Sequence, residues 1–231
     1  MRKSLWQMAL IVLGLLLPMG LLAAEHSAVP KEIMLMEPDT TGGMPLNQAL
    51  SKRHSVRSFT DQEVGIKEIS QILWAANGIT RPESGKRTAP SPMATYPASI
   101  YLATKQGVYF FDPKEMKLTL IAEGDQRSRL SGQRSVLTAS VSLIVVSDTG
   151  KLKDTMDERW KGNPENEKLS VIFCANEAGA IAQNVYLEAT SLGLATVYVG
   201  GFNRREITDL LRLKGEMVLL VMPIGYEAPP K

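Results

Sequence analysis

The longest helix-like segment, from about Asn166 to Leu192, places the strongest condition on the fold. Its middle, CANEAGAIAQN, is crowded with small side chains: Ala175, Ala178, Gly179, Ala180 and Ala182. Side chains this short let another backbone approach closely, so the helix is expected to be buried, in its own chain and against a second subunit. Ile172, Ile181 and Val185 add more apolar surface than one helical stripe can hide in a monomer of this size. The segment is therefore expected to pair with its own copy across a two-fold axis, the usual closure of homo-oligomers.

The elements around it mix strands and helices. Pro45 opens PLNQALSKR at a first-turn position, with Leu46, Ala49 and Leu50 on one face of a short helix. Ile66, Ile69, Ile72, Leu73 and Ala76 form one stripe of a second helix that stops at Gly78. Residues 79–97 are rich in Pro, Ser, Thr and Arg and read as a stretch without regular structure, of the kind that is either functional or disordered. ASIYLAT, GVYFFD and KLTLIA are strands, the last two joined by Asp112-Pro113-Lys114 as a meander. SVSLIVVSD is more uniformly apolar and is expected at the centre of the sheet. LATVYVGGF reads as a strand ending in paired glycines. NRREITDLL follows with Asn203 and Glu206 spaced as a capping box, and MVLLVMPIG supplies the last strand. Strands and helices segregated in this way indicate an α+β fold with a mainly antiparallel central sheet flanked by helices.

Three parts of the chain are distinguished: a signal peptide at 1–24, an extended N-terminal arm at 25–44 and one domain at 45–231. Arg2 and Lys3, the apolar run from Met8 to Leu17, Pro18 and the small Ala23-Ala24 pair describe a secretory signal. The alternative is a retained anchor, since the apolar stretch approaches the ~20 residues that span a bilayer. The expected location is outside the cytoplasm, in the periplasm. Removing the segment's two bases from 26 Lys+Arg leaves 24 against 24 Asp+Glu. A neutral surface offers no general attraction to nucleic acid, so any anion must be held by a local cluster. A single cysteine, Cys174, excludes a disulfide framework, and with only His26 and His54 a multi-ligand zinc site is not expected. There is no Gly-x-Ser-x-Gly elbow for a hydrolase.

SKRHSVRSF, residues 51–59, supplies such a cluster. If extended, it puts Arg53, Ser55 and Arg57 on one side, with His54 as a further donor. Two guanidinium forks and a hydroxyl match a phosphate monoester. The same cations would also complement the negative end of the preceding helix. Gly200 and Gly201, between a strand and a helix, either admit a flat ligand to the backbone or simply make the turn. In APSPMATYP, Pro90, Pro92 and Pro97 stiffen a loop in which Ser91 could donate to a ligand.

Taken in order, Arg-His-Ser-x-Arg-x-Phe, ILWAANGIT, the Pro-Ser loop, EAGAIAQNVYLEATSLGLATVYVGGF and MPIG resemble the nitroreductase superfamily of FMN-dependent oxidoreductases, over residues 45–226. The arrangement is nearest to its short, azoline-oxidase-like branch. The resemblance implies a homodimer with FMN at the subunit interface. It implies Arg53, His54, Ser55 and Arg57 at the phosphate and ribityl chain, Pro90 and Ser91 beside the isoalloxazine, and Gly200-Gly201 at its N5 and O4 edge. Met93 stands in a stretch where the family commonly has Asn or Gly, and Lys231 where it commonly has a basic pair that completes the phosphate clamp. Members of the azoline-oxidase branch are generally longer, so oxidation of peptide heterocycles is not carried over. The implied activity is a ping-pong transfer from an unknown electron donor to a small acceptor such as a nitroaromatic or quinone, with no catalytic side chain and no metal; the alternative is an exported flavin-binding, or anion- or peptide-binding, protein without turnover. An exported enzyme is separated from cytoplasmic NAD(P)H, so the donor could be a membrane redox partner.

Overall fold

Strand β1 (Glu32–Met34) opens the fold and is followed by helices α1 (Leu46–Lys52) and α2 (Ile66–Asn77). Then come β2 (Ile79–Arg81), β3 (Lys86–Arg87), β4 (Ala98–Ala103), β5 (Gly107–Asp112) and β6 (Lys117–Glu123). Short helices α3 (Arg127–Leu130) and α4 (Arg134–Thr138) lead to β7 (Val141–Ser147) and α5 (Thr149–Thr155). The long α6 (Pro164–Ser191), β8 (Ala195–Thr196), α7 (Arg204–Leu211) and β9 (Met217–Gly225) complete the order. This is a computed structural model, and it describes residues 28–155 and 164–229. The expected signal segment and Lys231 lie outside the described residues.

Seven strands form one sheet in the order β1-β6-β5-β4-β7-β9-β8, every neighbouring pair antiparallel. β7 is central as expected, and its residues divide between two cores. Leu143 and Val145 face Ile72, Leu73 and Ala76 of α2 and Ala178, Ile181, Ala182 and Val185 of α6. Ile144 and Val146 face Ile207, Leu210 and Leu211 of α7 and Val136 of α4. A strand covered on both faces needs apolar residues on both, which is why it reads as a continuous run.

α2 ends where its stripe ends. A Cβ on Gly78 would stand 2.4–2.9 Å from atoms of Trp74, so only glycine lets the chain turn this close to the helix. The arm expected to be merely extended contributes β1, which pairs with β6 from Glu32↔Thr119 to Met34↔Lys117. The 79–97 stretch contains the β2–β3 hairpin and a 3-10 turn at Pro92–Ala94, correcting the reading of it as structureless. The strand expected through Val199 pairs only at Ala195–Thr196, with an isolated bridge from Val199 to Val221. Asn203 makes no side-chain cap bond, and Glu206 binds Arg129 at 3.1 Å instead of closing a capping box.

Candidate flavin site

α1 ends at Lys52, and from Arg53 the chain is extended beside β8. Val56 N–H donates to the Thr196 carbonyl at 3.0 Å, and Ser55 and Thr196 form a parallel bridge. Val56 is buried with Phe59, Ala139 and Ala195. The alternation of extended backbone then turns Arg53, Ser55 and Arg57 away from that core, as the period of two requires.

Tyr186 of α6 ties this segment to the stretch beyond β8. Its hydroxyl bonds Ser55 Oγ at 2.9 Å and accepts the Tyr198 N–H at 2.8 Å, while the Arg53 guanidinium lies 5.1 Å from its ring centroid. Tyr198 leads to Gly200 and Gly201. The Gly201 carbonyl accepts from Ser131 Oγ at 2.9 Å and Gln133 Nε2 at 3.1 Å. A Cβ on Gly200 would approach nothing nearer than 3.9 Å, so the space above it is open. Arg53, Ser55, Arg57, Gly200 and Gly201 are thus brought to one surface of the chain.

His54 is used differently. Its Nδ1 donates to the Lys52 carbonyl at 3.0 Å, and its Nε2 lies 3.3 Å from Glu227 Oε1. Both contacts raise its pKa above the ordinary value, the carbonyl first. His54 satisfies the end of α1, so the cluster divides: the histidine serves the helix end, and the two arginines and Ser55 are free of that duty.

Pro90, Ser91 and Met93 sit elsewhere. Ser91 Oγ donates to Glu177 Oε2 at 2.6 Å and accepts the Tyr96 N–H at 2.8 Å. Met93, Ala94 and Tyr96 have φ of 51°, 54° and 48°. Non-glycine residues in this left-handed region cost about 1–2 kcal/mol each, so the loop holds a shape its sequence does not favour. Glycine would adopt it freely, and Met93 occupies it nonetheless. Glu177 and Tyr186 are nine residues apart on α6, about 13.5 Å along the axis and about 180° around it. The Ser91 loop and the Arg53 surface therefore flank α6 on opposite sides. The exposed stripe of Ile172, Ala175, Gly179 and Gln183 lies on the Tyr186 side of the helix, nearly opposite Glu177.

Ile181, Ala182 and Val185 are 0–4% exposed and belong to the chain's own core. They are not the subunit contact expected of them, because the periodicity of α6 turns them toward the sheet. Gly179, with nothing within 4 Å of an added Cβ, faces outward. Cys174 is fully buried, and burial pushes its thiol above the ordinary range. A cavity of 430 Å³ lies between the arm, α1, α2 and the far end of α6 and includes none of the expected site residues.

Sequence reasoning missed Tyr186, Tyr198 and Glu177. Nothing in the sequence singles them out: α6 also carries Asn176, Gln183, Asn184 and Glu188, and only the fold buries Glu177 and Tyr186.

The sequence profile of the Nitroreductase family matches residues 50–226. The chain belongs to the nitroreductase family. A provisionally named nitroreductase of Methanocaldococcus jannaschii is 35% identical over 190 residues, 78% of this chain and 90% of that protein. The crystal structure of a provisionally named nitroreductase from Ralstonia eutropha superimposes with a TM-score of 0.78 at 37% identity, covering 87% of this chain and 92% of that one. An FMN reductase [NAD(P)H] of Bacillus subtilis is 24% identical over 190 residues, 78% of this chain and 65% of that protein. Family membership makes the chain an oxidoreductase by relationship and accounts for the antiparallel sheet and the long helix.

Proposed function

We propose that the protein is an exported, homodimeric FMN-dependent oxidoreductase of nitroreductase type, passing electrons by a ping-pong cycle to a nitroaromatic, quinone or similar small acceptor. The observation that carries this reading is the lock between residues 53–57 and 198–201 through Tyr186. It gathers two guanidinium groups, a hydroxyl and two glycines on one surface, a donor set suited to a phosphate at one end and a flat ring at the other. The N–H groups of Gly200 and Gly201 have no protein acceptor among the described residues and are available to a ligand. Those residues fit FMN.

Bound FMN would supply the hydride chemistry, and the protein binds, orients and shields. Arg53 and Arg57 offset the phosphate charge, Ser55 donates to it, and Gly200-Gly201 present backbone donors to the ring edge. The Ser91 loop is out of reach of this surface in a single chain. Export rests on the N-terminal sequence alone. Among the described residues no helix is long and apolar enough to cross a membrane.

Purified protein tests the reading. Flavin absorbance that is bleached by dithionite and restored by a nitroaromatic or quinone is the expected result. Colourless protein that takes up no added FMN would overturn it.

A further inference from the structure

The Ser91 loop is held by one residue that no part of the flavin reading uses. Glu177 is 2% exposed on α6, and its Oε2 accepts the Ser91 hydroxyl at 2.6 Å. Its Oε1 is buried without a hydrogen-bond partner of normal geometry. Ser91 in turn organises the strained turn: its hydroxyl accepts the Tyr96 N–H, and its carbonyl accepts the Ala94 N–H at 3.1 Å. Tyr96 is strapped from other sides as well. Lys151 Nζ donates to its carbonyl at 3.0 Å, the Arg87 N–H reaches its hydroxyl at 3.4 Å, and the Arg87 guanidinium lies 5.1 Å from its ring centroid.

We propose that Glu177 is the positioning residue of this loop: its buried carboxyl, through Ser91, fixes the left-handed backbone of Met93, Ala94 and Tyr96 and so sets how Pro90, Ser91 and Met93 meet the flavin. The inference rests on the FMN reading of the preceding subsection, but the latch itself is a property of the chain alone.

The groups around the carboxyl decide its charge. Burial pushes its pKa up, against the Ser91 hydroxyl, the Ala98 backbone amide of β4, Arg87 of β3 and Lys151 of α5, which pull it down. Cys174 lies on its own helix, with its thiol itself pushed up by burial. A carboxyl raised by the closed structure favours that structure when neutral. Its contribution is fully present below the ordinary carboxylate value and is lost as pH rises through the raised one. Ionisation of Glu177 therefore loosens the loop.

The test is amide hydrogen exchange at Tyr96 and Ala94 in the full chain without flavin, from acid to mildly alkaline pH, with FMN titration in parallel. In the parent, Tyr96 protection falls with rising pH through one ionisation above the usual carboxylate range. E177Q keeps an uncharged acceptor for Ser91, so its protection stays high and flat. S91A removes the acceptor of the Tyr96 N–H and lowers protection roughly tenfold at acid pH. FMN affinity follows the same pattern, weakening with pH in the parent more than in E177Q. Flat protection in the parent, or full protection of Tyr96 in S91A, overturns the latch. Exchange that follows the expected pattern in a protein that binds no FMN upholds the latch and overturns the flavin reading.

Discussion

Arg53 and Arg57 are expected to contribute equally to FMN binding and unequally to stability, and replacing each with Ala separates the two effects. The Arg53 guanidinium rests on the Tyr186 ring at 5.1 Å and is half-buried. Removing a cation–π contact of this kind costs about 0.5–1 kcal/mol of folding stability. Arg57 is exposed, and its truncation should leave stability within about ±0.5 kcal/mol. Toward FMN the two converge, because a hydrogen bond to a charged group contributes about 1.5–3 kcal/mol, or roughly a ten- to hundredfold loss of affinity for each arginine. Riboflavin lacks the phosphate and is the control. It should bind Arg57→Ala like the parent, and Arg53→Ala within about fivefold, the limit set by the disturbed stack. Urea unfolding gives the stabilities, and quenching of flavin fluorescence gives both affinities. If both variants lose riboflavin as severely as FMN, the arginines support the fold and the phosphate argument fails.

Tyr186→Phe removes the hydroxyl shared by Ser55 and Tyr198; it should cost about 1–3 kcal/mol in urea unfolding and weaken FMN and riboflavin together, since Gly200 and Gly201 follow Tyr198 and lose their register with it. Gly179→Leu should leave chain stability nearly unchanged and push subunits apart, whereas Ala182→Leu should overpack the core by about 1–3 kcal/mol, a contrast read by thermal unfolding and light scattering. Asp125 has its pKa held below the ordinary carboxylate value chiefly by the hydrogen bond from the buried Arg127. Its contribution is present above that ordinary value and lost as pH falls through the depressed one, so acid unfolding of Asp125→Asn should begin from lower stability and show a shallower pH dependence.

Local periodicity made much of this fold legible. The stripe of α2 and the doubly apolar β7 follow from which faces must be covered, and the meander follows from its turn residues. Pairings that depend on distant backbone were not legible: nothing in Glu32–Met34 announces a partner at 117–119, because the bonds are main-chain and any sequence can make them. The left-handed turn at Met93, Ala94 and Tyr96 was hidden because none of the three is glycine. Alternation placed Arg53, Ser55 and Arg57 together, but the division of His54 from them depends on Glu227, far along the chain. The small residues of α6 suggested a close neighbour without saying on which side. The structure spends Ala178 and Ala182 on the chain's own core and leaves Gly179 outward.

The central claim is that a flavin site is completed by two copies of this chain meeting along α6. Sedimentation velocity recorded at the visible absorbance of FMN tests it most directly, because only protein-bound flavin moves with the boundary. The account predicts that all bound flavin sediments as the dimer and that Gly179→Leu dissociates dimer and flavin together. Flavin that sediments with a stable monomer would contradict it.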